Sequence, residues 1–550
     1  DNIGTIAKSG TRELMDSLKQ ADQDTNIEKL IGQFGVGFYS SFMAADSIEL
    51  VTRRAGEDAA TRWHSSGDGT YTVADGERAG HGTSITLHLK PVDTEGGLDD
   101  FTDEWVIQKA VKRYSDFVAY PIVLPVEREK EIPTGEKTET GEETTETKSV
   151  REDKRLNSMK PIWTRPASEV KEEDYHQFYK HISNDWETPL DVIPFKAEGL
   201  LEYQALLFIP KEAPYDLFYV GSRPGLQLYV RRVLILERCE QLLPQYLRFV
   251  RGVVDSPDLP LNVSREMLQQ DRQIEQIKRG LVKKLLDRFA EMADNEDETY
   301  LAFWRQFGRT IKEGVAEDYK NRDKLLPLLR FESSADEEKL TSLSDYVARM
   351  KEGQGEIFYM TGESRQVIAS SPHLEAFKDK GIEVLYFVDP VDELMVQSLH
   401  EFDGKRLKDV GKGTVDLGTE DEKKQAKEEL EKQEEEMKPL LEKIQKILDG
   451  HVKHVRLSAR LTSSPACLVG AEHDYSPQLE RLLQKGKGGG PKQRRILELN
   501  PRHEIVGRLK AEFEQSPESP ELERDVQLLA GYAYLAEGSE IPEPVVFNQR

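Results

Sequence analysis

Cysteine is almost absent from this chain: Cys239 and Cys467 are the only two in 550 residues. Two thiols so far apart form neither a disulfide framework nor a C-x-x-C metal or redox motif, and they point to a reducing compartment, the cytoplasm. Long apolar runs are also missing. No stretch of about 18 apolar residues occurs, so no segment reads as a membrane span. A basic excess is missing as well. Acidic side chains number 101 against 76 basic ones, and the resulting net charge of −25 has the wrong sign for wrapping nucleic acid. Position 1 is Asp1, not methionine, no signal peptide follows, and helix-like sequence begins at once, so the chain reads as a piece of a longer protein. There is no Walker loop, no H-E-x-x-H, no EF-hand loop and no G-x-S-x-G elbow. His451 and His454 stand one helical turn apart without a third ligand, and no metal site is assigned to them.

What is present supports several ordinary cores under a very hydrophilic surface: 37% of residues are hydrophobic and 32% charged, enough at this length for three or four domains. Residues 1–30 place Ile3, Ile6, Leu14, Leu18 and Ile27 on one helical face, and a further helix with Phe38, Phe42 and Met43 follows a glycine cluster. Ser47–Arg53 reads as a short strand. Thr83–Lys90 alternates Ile85, Leu87 and Leu89 with polar residues, the period of a half-buried strand. This block, residues 1–124, reads as an α/β sandwich. Residues 127–150 hold eight Glu, four Lys or Arg and six Thr with no aromatic residue, a composition unable to bury a core, so 125–157 is expected to be a charged linker. The block 158–415 mixes strands (Tyr203–Pro210, Leu226–Leu236, Ile382–Val388) with helices such as Ile274–Met292, again α/β. Residues 416–550 open on a Lys/Glu-rich helix over 420–448 with Leu430, Met437, Leu441, Ile444 and Leu448 on one stripe, interrupted by Pro439. That helix lies on a surface or forms a short coiled coil, and Pro439 weakens the second reading. The block ends in amphipathic helices, where Leu522, Val526, Leu529, Ala533 and Ala536 keep a 3.6 period suited to a core or an oligomer seam.

Four stretches could carry chemistry. Gly32-Gln33-Phe34-Gly35-Val36-Gly37-Phe38 has the glycines to wrap a phosphate with backbone N–H groups, and taken alone it equally opens a buried helix. Lys8 in Gly4–Thr11 can reach a phosphate as a point charge, although a solvated helix lysine explains it better in isolation. Thr83 opens a strand after Gly82, where its hydroxyl suits either a base edge or a turn. In Asn262-Val263-Ser264-Arg265-Glu266, Asn262 or Ser264 can cap a helix, which leaves Arg265 at a helix N-terminus that disfavours cations. An arginine so placed can be aimed at an anion, although spacing alone favours an ion pair with Glu266 or Asp271. Residues 485–495 are basic and glycine-rich and read as a surface loop.

Taken together these words resemble the heat-shock protein 90 family of ATP-driven chaperones, in its bacterial form. The matching stretches are Gly4–Thr11, Ile31–Phe42, Lys160–Arg165, Ala205–Pro210, Arg251–Ser256, Leu259–Gln270, Arg349–Glu352 and Leu497–Pro501, and the likeness runs through nearly all of residues 1–547. It implies a partial gyrase/histidine-kinase-type ATPase α/β sandwich, an α/β middle domain and an α+β C-terminal dimerisation domain. Asn2 would lie near the ribose of ATP and Lys8 near its phosphates. Gly32, Gln33, Gly35, Val36, Gly37 and Phe38 would form the phosphate loop, and Thr83 would help hold the adenine. Arg265, supported by Asn262 and Gln269, would touch the γ-phosphate when two domains close, as an arginine finger does.

The resemblance also implies a homodimer through 416–550, unfolded or partly folded client proteins, and work alongside the DnaK chaperone system. Trp163 and the Tyr475–Leu483 helix, with Leu479 and Leu482, are the candidate client contacts. Family members begin well before the point matching Asp1. The water-activating glutamate and the magnesium-binding asparagine are expected there, so this chain alone should bind ATP poorly and leave apolar surface exposed in its first block. The alternative is therefore an ATP-independent client-binding scaffold. A coiled-coil structural protein built on 420–448 is a third, weaker reading.

Overall fold

A computed structural model describes residues 3, 37–137, 143–199, 201–219, 225–259, 272–485 and 493–549. A 3-10 turn, Gly37–Met43, leads into the four-stranded antiparallel sheet β1 (Ala45–Arg53), β2 (Ala60–Ser65), β3 (Thr72–Gly76) and β4 (Gly82–Leu89), in the order β3-β2-β1-β4. Ala45, Ile48, Leu50 and Trp63 are its buried centre, with Ile3, Phe38 and Phe42 packed against them. The strand expected over 83–90 is therefore present, but it is not half-buried. Ile85 and Leu87 point to the same side as Leu50 and Trp63 yet are 51% and 39% exposed. Alternation gives a side chain its direction. Burial needs a partner, and the apolar cover lies over β1 and β2 while β4 is at the sheet edge.

Asp103 caps α1 (Glu104–Tyr114) by accepting hydrogen bonds from the N–H groups of Trp105 (2.6 Å) and Val106 (3.2 Å). Beyond α1, Phe117 enters the core of the next sheet, 4.7 Å from the Trp163 ring centre. The segment expected as a charged linker is a two-stranded antiparallel ribbon, β5 (Val123–Lys137) and β6 (Glu143–Arg155). Its composition forbids a core of its own, but a ladder of backbone hydrogen bonds asks nothing of the side chains. Buried Val126 and Leu156 and the amide of Asn157 tie its base down. That amide donates to the carbonyls of Val118 (3.0 Å) and Tyr120 (2.8 Å) and accepts from the N–H of Ile122 (2.8 Å).

After α2 (Glu172–Ser183) comes a five-stranded sheet of β7 (Asp191–Ala197), β8 (Tyr203–Ile209), β9 (Leu226–Val230), β10 (Val233–Cys239) and β11 (Arg251–Asp255), ordered β10-β9-β11-β8-β7. Only β9 and β11 are parallel. Residues Ala205–Ile209 are buried without a break, as a strand covered on both faces must be. The single strand expected over 226–236 is a hairpin whose two-residue turn, Arg231-Arg232, has left-handed φ of 53° and 68°. Gly252, at φ 144°, lies so close to β8 that a Cβ there would come within 2.2 Å of the Leu206 oxygen. The helix expected over 274–292 is α3 (Arg272–Asn295).

The chain divides into two compact units, residues 1–244 with 248–284 and residues 245–247 with 285–550. In the second, α4 (Asp297–Glu317) carries the buried aromatics Tyr300, Phe303, Trp304 and Phe307. A mixed sheet follows, built from β12 (Glu332–Ser333), β13 (Glu356–Thr361), β14 (Leu385–Phe387), β15 (Glu401–Phe402) and β16 (Lys405–Asp409) in the order β12-β14-β13-β16-β15. A capping box between Thr419 and Glu422 opens α5 (Glu420–Ile447), which runs through Pro439. Its inner face is Met437, Leu440 and Ile444, with Leu430 and Leu441 partly buried, so it is a surface helix laid on a core. That core is completed by the sheet β17 (His454–Leu457), β18 (Ala466–Val469) and β19 (Ile496–Leu499), ordered β17-β19-β18, and by the helices around it. These are α6 (Pro477–Lys485), α7 (Glu504–Gln515), α8 (Pro520–Glu537) and α9 (Pro544–Gln549). The expected α8 stripe is buried at Leu522, Val526, Leu529 and Ala533, whereas Ala536 is exposed. Residue 415, expected to close the middle domain, lies inside this unit, where buried Arg460 pairs with buried Glu498 (3.0 Å) and donates to the Gly413 carbonyl (2.5 Å).

Candidate functional site

Of the residues expected around a nucleotide, Asn2, Lys8, Gly32, Gln33, Gly35, Val36, Asn262, Arg265 and Gln269 lie outside the described residues. Gly37, Phe38 and Thr83 lie within them. Gly37 begins the 3-10 turn, and among the described residues nothing lies within 4 Å of the position a side chain would take. The Ser40 hydroxyl donates to the Gly37 carbonyl (2.6 Å), and the Phe38 ring meets Trp63 edge-on at 5.5 Å. Thr83 is exposed on β4 opposite Thr52, the two hydroxyls 2.9 Å apart. Strand alternation puts Thr83 on the face of Ile85, and Ile85 is in register with Leu50 and Leu50 with Trp63. Phe38 and Thr83 therefore share one face of one sheet.

The chain leading from the end of β11 toward Arg265 is described as far as Leu259. Asp255 is buried. Its carboxylate accepts from the indole N–H of Trp163 (3.0 Å) and from the backbone N–H of Arg232 (3.2 Å). Burial pushes this carboxyl above its ordinary range, against the pull of those two donors. Ser256, fully buried, donates from its hydroxyl to the Glu202 carbonyl (2.7 Å) and from its N–H to the Tyr229 carbonyl (3.1 Å). The Glu202 N–H in turn donates to the Asp258 carboxylate (3.0 Å), and Arg231 Nε donates to the Pro257 carbonyl (3.3 Å). Sequence reasoning missed this arrangement. Its one visible trace was the Arg231-Arg232 pair where a hairpin turn would ordinarily carry Asn-Gly.

Trp163, expected as a client contact, is buried instead, packed among Phe117, Phe178 and Tyr229 with its N–H spent on Asp255. A tryptophan with an apolar body and a satisfied polar tip is a core residue. On α6, Leu479 is buried, Tyr475 just before it and Leu483 within it are exposed, and the Leu482 side chain is not among the described ones. Large aromatics exposed on the first unit's surface include Trp186 and Tyr215, 87% and 92% exposed, with Trp105 and Tyr219. A cleft of about 650 Å³ between residues 351–358 and 416–423 is lined by four lysines. Three of their ammonium groups are held by Leu417 O, Glu472 and Glu420 (2.7–2.8 Å) and the fourth, on Lys351, by Lys380 O, so it offers no free cation for a phosphate. No described helix is long and apolar enough to cross a membrane.

The profile of the family described as Hsp90 protein matches residues 100–550. Among curated relatives, the chaperone protein HtpG of Nocardia farcinica is 51% identical over 555 residues, and its counterparts in Mycobacterium avium and Rhodococcus jostii are 52% identical over 552 and 549 residues. Each alignment covers 100% of this chain and 84% of the relative. Proteins of this kind bind ATP, generally with magnesium, hydrolyse it, bind client proteins and dimerise. A family match over most of the chain, joined to identity of this degree along all of it, settles its descent: the chain belongs to the heat-shock protein 90 family of ATP-driven molecular chaperones.

Proposed function

We propose that ATP is gripped jointly by the glycine-rich segment of the first block and by the loop that follows β11. Asn2 lies near the ribose and Lys8 near the phosphates. The backbone N–H groups of Gly32, Gln33, Gly35, Val36, Gly37 and Phe38 wrap the phosphates, and the Thr83 hydroxyl holds the adenine. Arg265, supported by Asn262 and Gln269, neutralises charge on the γ-phosphate when the two parts close. The contact exists only in the closed state, which is what lets nucleotide drive a conformational cycle. One observation carries this reading: Phe38 and Thr83 occupy the same face of one sheet, and no described residue fills the space beside Gly37. Magnesium accompanies ATP in the family. Among the described residues no group of three His, Cys, Asp or Glu side chains could hold a metal, so no step is assigned to it.

In this reading residues 1–124 belong to the nucleotide domain, 125–157 link, 158–415 form the middle domain with Arg265, and 416–550 dimerise. The exposed Tyr532, Leu535 and Val545 of α8 and α9 support a seam between two copies. Clients are unfolded or partly folded proteins in the cytoplasm, handed on with the DnaK system. The exposed Trp186, Tyr215, Tyr475 and Leu483 replace Trp163 as their contacts.

Arg265→Ala in the whole protein should leave ATP binding intact and lower turnover by about 10³-fold, the scale of an arginine finger. Unchanged turnover removes Arg265 from the mechanism. The exposed aromatics also favour a second reading, an ATP-independent scaffold. Suppression of client aggregation by this chain without nucleotide would support it, and no suppression would dismiss it.

A further inference from the structure

Beyond Asp255 the stem of the Arg265 loop is no longer part of any sheet. The last ladder pairs of β11 are Asp255 with Gln204 and with Tyr229. Val253 and Val254 already bury that strand completely. Six polar contacts from outside hold the stem from Asp255 to Asp258: the Trp163 indole reaches Asp255, the Ser256 N–H reaches the Tyr229 carbonyl, and the other four come from two turns at one end of the sheet. From the residue before β8, Glu202 uses both sides of its backbone: its carbonyl accepts from the Ser256 hydroxyl and its N–H donates to Asp258. From the β9–β10 turn, Arg231 Nε reaches the Pro257 carbonyl and the Arg232 N–H reaches Asp255. That turn holds two L-residues at positive φ, a conformation that Asn-Gly adopts at lower cost. Backbone strain kept at such a place is a pointer to function. Leu259, buried, is the last described residue before the loop.

We propose that Asp258 and Arg231 are positioning residues for the ATPase arginine: they lock the direction in which the 260–271 loop, and with it Arg265, leaves the middle sheet. The inference rests on the reading that Arg265 meets the γ-phosphate. Arg265 follows Leu259 by only six residues, so the stem is the nearest described anchor on the chain that delivers it. A displacement of 1 Å at a reacting group can cost on the order of 10²-fold in rate. The sheet does not need these contacts to stay paired, whereas an arginine delivered from a distance does need a fixed point of departure.

ATP turnover of the whole protein, wild type against variants, tests this. Asp258→Ala should lower kcat about tenfold with KM for ATP changed less than twofold, because the nucleotide is bound elsewhere. Asp258→Asn, whose amide oxygen still accepts from Glu202, should recover most of that loss. In an Arg265→Ala background Asp258→Ala should change nothing further, since it acts only through the arginine. An unchanged kcat, or the same tenfold fall in the Arg265→Ala background, overturns the proposal. Turnover that survives Arg265→Ala alone overturns the underlying reading instead, and the clamp loses its task with it. Should Asp258→Ala fail to fold, Arg231→Met takes its place, since it removes the Nε donor and keeps the stem. A tenfold fall in kcat that vanishes in the Arg265→Ala background then supports the clamp, and an unchanged kcat overturns it.

Discussion

His373 makes the second unit sensitive to mild acid. The ring is 4% exposed, with Nε2 2.8 Å from the Leu468 carbonyl and Nδ1 3.0 Å from the Ser371 hydroxyl. A carbonyl has no proton to give, so Nε2 carries the hydrogen and Nδ1 accepts from Ser371. Burial, then the positive charge of Arg460, push its pKa down to about 4, against opposing pulls from Glu498, the Leu468 carbonyl and Asp409. In the unfolded chain the value returns to about 6.5. Between those limits the unfolded chain binds the proton more readily. This part of the stability is therefore complete above pH 6.5 and drains away as pH falls toward 4. At pH 4.5 the loss is on the order of 2–3 kcal/mol. The assay is native-state hydrogen exchange in β18, corrected for intrinsic rates, on wild type and His373→Gln from pH 7.5 to 4.5. At pH 7.5 the variant should be the weaker protein, and its deficit should shrink by on the order of 2–3 kcal/mol by pH 4.5. Two curves that fall in parallel would refute the buried neutral imidazole.

Glu375 should behave with the opposite sign. Burial raises its pKa, but the Ser464 hydroxyl and the N–H groups of Ser463, Thr462 and Ser464 outweigh it and hold the carboxyl at about 2. Its contribution is full above pH 4.5 and lost as pH falls toward 2. Discounted for partial exposure, Glu375→Ala should cost about 2 kcal/mol at pH 7 and about a quarter of that at pH 2.5, read by the same exchange measurement across residues 462–464. Lys312 is buried between Asp389 (2.7 Å) and fully buried Asp392 (2.9 Å). Lys312→Met strands the Asp392 charge and should destabilise by about 3–5 kcal/mol in urea unfolding, with part of the loss recovered by adding Asp392→Asn. No recovery would mean that the lysine matters for packing alone.

Element types were legible wherever one period dominated. The α5 stripe and the α8 stripe were both visible as spacing, because a long helix repeats its message over many turns. Register within such a stripe was less so: Leu440, outside the expected stripe, is buried, and Leu441 is only partly buried against the same core. Burial was the least legible property. Ile85 and Leu87 alternate as core residues do and stay exposed, while residues 125–137 and 143–155, expected as a charged linker, pair as strands. In both cases the deciding factor was a partner, present or absent, that the local sequence does not encode.

The site divides along the same line. A glycine-rich word or an arginine after a cap announces what a residue can do, since that depends on its own chemistry. Where the residue ends up depends on others. The stem of the Arg265 loop is fixed by Glu202, 54 positions before Ser256, and by Arg231, 26 before Pro257, and neither contact has a spacing rule. Trp163 makes the converse point: its chemistry suits a client surface, yet an acceptor 92 positions away turns it inward. A mechanism that depends on delivering one guanidinium across a gap thus has its precision written in residues that look ordinary in sequence. Substitutions at Asp258 and Arg231, chemically remote from ATP, are accordingly where the loss of kcat at constant KM should appear.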